Sequence, residues 1–204
     1  MPFEIENTKK DSIENIDWLF WQEYETGENQ VTEALLKWFY FSHSRVQKRF
    51  LSMICGVKGR KANWRRLNLQ LKGKKGTPDA VLHLNDGSRL LFEVKIKQNS
   101  VSRKQLVRHL RDAGFKKVGK ASKKDPKLAL ITPDFREPTK LRSLGDRDRS
   151  VVLWVPWIEI VNYCSKKSKA EKTSRDRLLR EALYTFLVTH PKLSEHLPKI
   201  PKFD

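Results

Sequence analysis

The stretch from Asp79 to Ile96 constrains the fold more than any other part of this sequence. Two apolar runs, Asp79 to Leu84 and Ser88 to Ile96, flank Asn85, Asp86 and Gly87, residues that favour a tight turn with a glycine where positive φ is wanted. Runs this short and this close pair antiparallel, so the segment is predicted to be a β-hairpin. Side chains alternate along a strand, which sends Leu90, Phe92, Val94 and Ile96 to one face and Leu91, Glu93 and Lys95 to the other. A three-residue loop sets Leu84 opposite Ser88, and counting back from that pair sets Asp79 opposite Glu93. One face is then apolar, while the other gathers two carboxylates and an amine.

The flanking segments supply the rest of an α/β fold. Ser12 to Tyr24 mixes Ile13, Ile16, Trp18, Leu19 and Trp21 with acids and is read as a short helix or packed arm. After Gly27, the residues Val31, Leu35, Leu36, Trp38 and Phe39 recur at helical spacing and predict an amphipathic helix from Asn29 to His43, with a linking segment of helical character to Cys55. Gly56 to Arg66 reads as a basic loop, and Leu67, Leu69 and Leu71 alternate with polar residues as a strand. Ser100 or Ser102 caps a helix to about Asp112, stopped at Gly114. Lys127 to Thr132 and Val151 to Val155 are strands, and the polar connection Asp134 to Ser150 is expected to be mobile. Pro156 starts a short helix through Tyr163. A last helix runs from Ser174 to Thr189 with Leu178, Leu179, Ala182, Leu183, Phe186 and Leu187 on one stripe, and the tail from Pro191 has no packing pattern. This order predicts a mixed central sheet flanked by helices, an antiparallel meander followed by a crossover helix that feeds later strands. A length of 204 residues suits one domain, divided into an arm (1–26), a core (27–164), a basic linker with an extra C-terminal helix (165–190) and a tail (191–204).

Composition narrows the partners. The formal charge is +18, and from Lys58 to Lys75 there are eight basic residues and no acidic one. Such an excess attracts polyanions through phosphate contacts and counterion release, so nucleic acid is the expected partner, although a non-enzymatic nucleic-acid coat protein has the same charge. No window holds the roughly 20 apolar residues of a membrane span, and Met1 to Lys10 lacks an apolar signal-peptide core, so an intracellular, cytoplasmic location away from membranes is expected. The two cysteines, Cys55 and Cys164, lack paired zinc or disulfide spacing and read as buried thiols.

Two converging carboxylates repel unless a cation sits between them. Oxygen ligands of this kind suit Mg²⁺ or Mn²⁺, and a metal there polarises a phosphodiester and lowers the pKa of a bound water. Lys95 would orient or activate that water and balance charge as the bond breaks. The bland alternative is a cross-strand Glu–Lys decoration of an ordinary hairpin. Acids locked in permanent ion pairs would count against hydrolysis and leave a positively charged binder.

Pro78, Asp79, a gap of thirteen residues, then Glu93, Val94 and Lys95 resemble the signature of the PD-(D/E)xK nuclease superfamily. The resemblance covers roughly Gly27 to Tyr163. It implies a restriction-endonuclease-like αβββαβ core and a divalent-metal-dependent DNA endonuclease. Carried across, Asp79, Glu93 and the main-chain carbonyl of Val94 bind Mg²⁺ or Mn²⁺, and Lys95 serves the attacking water. Glu28, at the start of the first core helix, matches the helical acid that reaches the metal through water in many members; a helix N-terminal acid favoured by the macrodipole explains it equally. Gln105, Leu106 and His109 are similar to the Gln-Leu-x-x-Tyr motif of RecB-type nucleases, with His in place of Tyr. Gln105 either contacts the DNA backbone, or the surroundings of the lysine, or is an exposed glutamine. The sub-family is open between Holliday junction resolvases, RecB-type enzymes, transposon end-cleaving enzymes and defence nucleases. An RNA-directed nuclease and a non-catalytic nucleic-acid-binding module on the same fold are the alternatives, and a homodimer or a partner protein supplying specificity fits the class.

The remaining cations read as phosphate-positioning groups: Lys58, Arg60, Lys61, Arg65 and Arg66 in the basic run, Lys72, Lys74 and Lys75 just before Asp79, and Arg103, Lys104, Arg108 and Arg111 on the helix that follows. Trp64 either stacks on an unpaired base or joins the core; Trp154 and Trp157 are assigned to the core. His43, His83, His109, His190 and His196 lack metal-ligand spacing, and of these His83 is the one placed to line the active face.

Overall fold

In the hairpin, Asp86 makes the turn: its Oδ1 accepts the Ser88 N–H at 3.0 Å and the Ser88 hydroxyl at 2.6 Å. Gly87 has φ +84°, a region that costs a side-chain-bearing residue. Leu84 N–H donates to Ser88 O at 2.9 Å, so the loop is the three residues expected and the register follows.

A computed structural model describes residues 3–6, 27–55, 63–69, 77–115, 127–166 and 173–197. Its strands are β1 (Phe3–Glu6), β2 (Trp64–Leu69), β3 (Ala80–Leu84), β4 (Arg89–Val94), β5 (Lys127–Thr132) and β6 (Val152–Pro156). They form one six-stranded sheet in the order β1-β2-β3-β4-β5-β6. β1 to β4 pair antiparallel, and β4, β5 and β6 pair parallel, so the sheet is mixed as expected. The helices are α1 (Gly27–Phe41), α2 (Ser44–Cys55), α3 (Arg103–Asp112), α4 (Thr139–Arg142), α5 (Asp146–Val151), α6 (Trp157–Ser165), α7 (Ser174–Thr189) and α8 (Pro191–Ser194). Among the described residues no helix is long and apolar enough to cross a membrane.

The sheet is covered on both faces. Leu67, Leu82, Leu90, Phe92, Val94 and Ile131 point to the larger core, built with residues of α1, α2, α6, α7 and α8. Leu91, Leu128, Leu130 and Val152 point the other way and pack under α3, α4 and α5. Two-sided burial explains why β4 and β5 read as nearly continuous apolar runs, and why a polar residue inside them stands out.

Several expectations are corrected. Trp64, Arg65 and Arg66 belong to β2 and not to a loop, and Trp64 is core: it is buried, and its Nε1 donates to Gln47 Oε1 at 3.3 Å. The arm contributes an edge strand at Phe3–Glu6; the short helix or packed arm expected over Ser12 to Tyr24 lies outside the described residues. The connection Asp134 to Ser150 is not a loose tether. It holds α4 and α5, buries Leu141 and Leu144, and is clamped by Arg149, whose NH2 pairs with Glu137 Oε2 at 3.0 Å and whose NH1 donates to Val152 O at 2.7 Å.

On α7, Leu178 is 45 % exposed and not part of the core stripe. The helix is rotated because two polar side chains turn inward with partners: Asp176 Oδ1 accepts the His43 N–H at 2.8 Å, and Arg180 NH1 donates to Cys164 O at 2.5 Å. The tail begins with α8, whose Leu193 is buried. Cys164 is a buried free thiol, as read.

Leu141 separates a packed connection from a mobile one. Leu141→Ala is expected to lower stability by about 2 to 5 kcal/mol in urea denaturation followed by tryptophan fluorescence. A change within about 0.5 kcal/mol would mean that the segment carries no packing.

Candidate active site

The hairpin brings Asp79, Glu93 and Lys95 together in the predicted way. Asp79 lies one residue before β3, where the Ala80–Phe92 pair sets it opposite Glu93. Its backbone N–H donates to Phe92 O at 3.0 Å, and its Oδ2 accepts the Val94 N–H at 2.7 Å, so backbone and carboxylate are both anchored to β4. In a strand the N–H and C=O of one residue point to the same neighbour, so the Val94 carbonyl also faces the Asp79 side. Lys95, the residue after β4, is fixed from both directions: its N–H donates to Ile131 O at 2.8 Å, and its carbonyl accepts the Trp157 Nε1–H at 2.9 Å. Its Nζ lies 2.7 Å from Glu93 Oε1.

Two helices from opposite layers complete the cluster. α1 packs in the larger core, yet its first turn passes the end of the sheet, and Glu28 Oε1 accepts from Lys95 Nζ at 2.8 Å. Gly27 permits that approach, because a Cβ there would meet His190 Cε1 at 3.1 Å and Ile96 Cδ1 at 3.3 Å. On the other layer, α3 is capped by Ser102, whose hydroxyl accepts the Gln105 N–H at 3.3 Å. Gln105 and His109, at i and i+4, share the face turned to the sheet. Gln105 Nε2 donates to Glu93 Oε1 at 2.6 Å, and His109 Nε2 lies 2.9 Å from Glu93 Oε2. Gln105 is therefore not an exposed glutamine: it is half-buried and its amide holds Glu93 beside Lys95.

In the sequence His109 figures only as the residue in place of the Tyr of the Gln-Leu-x-x-Tyr motif and lacks metal-ligand spacing; its place four residues after Gln105 is the signal that it shares the face turned to Glu93.

Glu93 is 1 % exposed. Burial pushes its carboxyl upward, but the His109 hydrogen bond and the Lys95 charge outweigh this and hold it below the ordinary carboxylate range. Lys95 is the reverse case: burial lowers it, and the Glu93 and Glu28 carboxylates raise it above its ordinary value, so it is an ammonium ion at any physiological pH. Among the described residues Asp79 has no such cation of its own. Burial first and the Glu93 charge second push it up to about 8, against the Val94 N–H and Lys95.

Among the described residues no three His, Cys, Asp or Glu side chains form a ready cation cage. The donor set is smaller, two carboxylates close enough for one to raise the other, with the Val94 carbonyl on the same side. These are hard oxygen donors, and a bound cation would let Asp79 release the proton that burial and Glu93 hold on it, which fits Mg²⁺ or Mn²⁺ better than softer metals. In the conformation seen, Glu93 is held by Lys95, Gln105 and His109, so the ion-paired state that counts against hydrolysis is realised for this acid and not for Asp79.

Other predicted residues fall elsewhere. Arg103, Lys104, Arg108 and Arg111 are exposed on the outer face of α3, and Arg65 and Arg66 are exposed on β2. His83 does not join the cluster. It sits opposite Arg66 and Arg89, four residues along β3 from Asp79, or about 13 Å. Partial burial and the charges of Arg66, Arg65 and Arg89 lower its pKa. Lys58, Arg60, Lys61, Lys72, Lys74 and Lys75 lie outside the described residues. No protein-family model, curated protein or solved structure matches the chain.

Two outcomes follow from the electrostatics. The Asp79 carboxyl titrates at about 8 in the folded chain against 3.8 ordinarily, so its stabilising contribution is full below the lower value and lost as pH rises through the upper one. Asp79→Asn keeps an acceptor for the Val94 N–H and is expected to flatten this decline: little change in Tm near pH 4, and a gain near pH 9 of about 2 to 4 °C per kcal/mol recovered. Equal shifts at both pH values would contradict the assigned titration. His109→Ala leaves the buried Glu93 short of a donor and is expected to cost about 1 to 3 kcal/mol in urea denaturation, where the same change at His83 costs under about 0.5 kcal/mol.

Proposed function

We propose that the chain is a divalent-metal-dependent DNA endonuclease that hydrolyses phosphodiester bonds. The observation that carries this reading is the convergence of Asp79, Glu93 and Lys95, with Glu28, at one end of the sheet in a chain of net charge +18. It agrees with the resemblance to PD-(D/E)xK nucleases and a restriction-endonuclease-like core. Asp79, Glu93 and the Val94 carbonyl would hold Mg²⁺ or Mn²⁺, with Glu28 reaching it through water. Such an ion polarises the phosphodiester and makes a bound water acidic.

The protein's own groups do the rest. Lys95, held between Glu93 and Glu28, orients or activates the attacking water and meets the negative charge that develops on phosphorus-bound oxygen. Gln105 and His109 keep Glu93 ionised and fix its direction. Arg103, Lys104, Arg108 and Arg111 hold neighbouring phosphates without reading bases.

The second reading is a non-catalytic nucleic-acid-binding module, favoured by the three donors that already occupy Glu93. Cleavage of plasmid, short duplex and RNA substrates with Mg²⁺ or Mn²⁺ separates the two. The nuclease reading expects DNA cleavage that falls by at least about 10²-fold in Asp79→Ala and in Lys95→Ala. It also expects Mg²⁺ to raise the Tm of the wild type and not of Asp79→Asn. Absence of cleavage, together with DNA binding indifferent to metal and to Glu93→Gln, establishes the binding module instead.

A further inference from the structure

Phe135 is 56 % exposed, an unusual position for a phenyl ring. The other large exposed hydrophobic among the described residues, Leu178, lies on α7 in the opposite layer. Fraying does not account for Phe135, because the chain is clamped on both sides of it. Before it, the Asp134 N–H donates to Thr132 Oγ1 at 3.3 Å, and Asp134 Oδ1 accepts the Asn99 N–H at 2.9 Å. After it, Pro138 is buried and its carbonyl accepts the Leu141 N–H at 2.9 Å at the start of α4.

The ring also stands at the end of the sheet that carries the cluster. β4 and β5 are parallel, Val94 pairs with Ile131, and the Lys95 N–H donates to Ile131 O. Lys95 therefore lies beside Thr132, and Phe135 is three residues further, at most about 11 Å of chain. With strands about 4.8 Å apart, the Phe135 Cα lies within roughly 16 Å of the Lys95 backbone. The Asn99–Asp134 bond ties the loop that follows Lys95 to the residue beside Phe135. Asn99 holds φ 57°, rare outside glycine, so the join is conformationally defined.

Around the ring the surface is cationic. Arg136, Lys140 and Arg142 are exposed on its own segment, and Lys97, Arg103 and Lys104 on the facing one. The two acids on this stretch are both engaged: Asp134 is buried and accepts the Asn99 N–H, and Glu137 is paired with Arg149. An exposed aromatic among phosphate-binding cations is the composition of a surface that stacks single-stranded bases, since every base offers a π-face once it is unstacked.

We infer that Phe135 is a stacking platform for an unpaired base next to the phosphate held at Asp79, Glu93 and Lys95, so that the chain acts on nucleic acid with unpaired nucleotides beside the cut. This rests on the nucleic-acid reading above and names its substrate class. The ring recognises base-face exposure and not sequence; a fully paired duplex keeps its bases stacked away from it.

The test is metal-free binding by fluorescence anisotropy at one salt concentration, using a labelled single-stranded oligonucleotide and its matched duplex. Wild type, Phe135→Ala, Phe135→Trp and Leu178→Ala are compared. Phe135→Ala is expected to weaken single-strand binding by about 10-fold, the worth of one stacked base, while changing duplex binding by less than about 2-fold. Phe135→Trp restores single-strand binding, and Leu178→Ala leaves both unchanged. An equal loss on both substrates, or none, overturns the platform. If wild type binds single strands in the Phe135-dependent way yet never cleaves with metal, the hydrolytic reading falls and the platform stands. If it cleaves and Phe135→Ala is indistinguishable on paired and unpaired substrates, the reverse holds. Absence of any nucleic-acid binding removes both.

Discussion

Glu93 puts a charged oxygen pair inside a strand whose neighbours on both faces are apolar, and the surrounding structure is arranged to make that tolerable. A buried carboxylate without partners is prohibitive, so each of its oxygens requires a donor. Lys95 comes from its own strand, and Gln105 and His109 come from α3. These bonds fix more than the acid: they set the rotation of α3 about its axis and hold its first turns against the end of β4. A buried carboxylate held by Lys95 and Gln105 on one oxygen and approached by His109 on the other keeps one orientation.

The same constraint couples the two layers. Lys95 needs a second anion to sit comfortably in a poorly solvated place, and Glu28 supplies it from the opposite side of the sheet. That contact exists because α1 begins at a glycine, where a Cβ would come within 3.3 Å of Ile96 Cδ1. Trp157 of α6 adds a bond to the Lys95 carbonyl, so three helices converge on the two residues Glu93 and Lys95. Among the described residues Asp79 is the one member of the cluster without a matching cation, and burial first and the Glu93 charge second raise its pKa.

Around this rigid centre the exposed positive charge is carried by groups that make little structural contribution. The cations of α3 point outward while Gln105, Leu106, His109 and Leu110 point inward, which separates long-range attraction from the short-range order of the cluster. The helix thus does two unrelated jobs with two faces, as helical periodicity allows.

The hairpin, its three-residue loop, the facing of Glu93 and Lys95 and the Asp79–Glu93 register were legible in the sequence. Turn chemistry and a period of two are local properties, and nothing distant overrides them. Most helices and the mixed order of strands followed from periodicity in the same way. The tertiary structure alone decided the rest. That Gln105 and His109 meet Glu93, that Glu28 reaches Lys95, that Leu141 and Leu144 are buried, and that Asp176 and Arg180 displace Leu178 from the core all depend on how helices are rotated and set against a sheet. That rotation is fixed by contacts between residues far apart in the chain, among them polar groups that turn inward when a buried partner awaits them, and no local pattern encodes where such a partner will be.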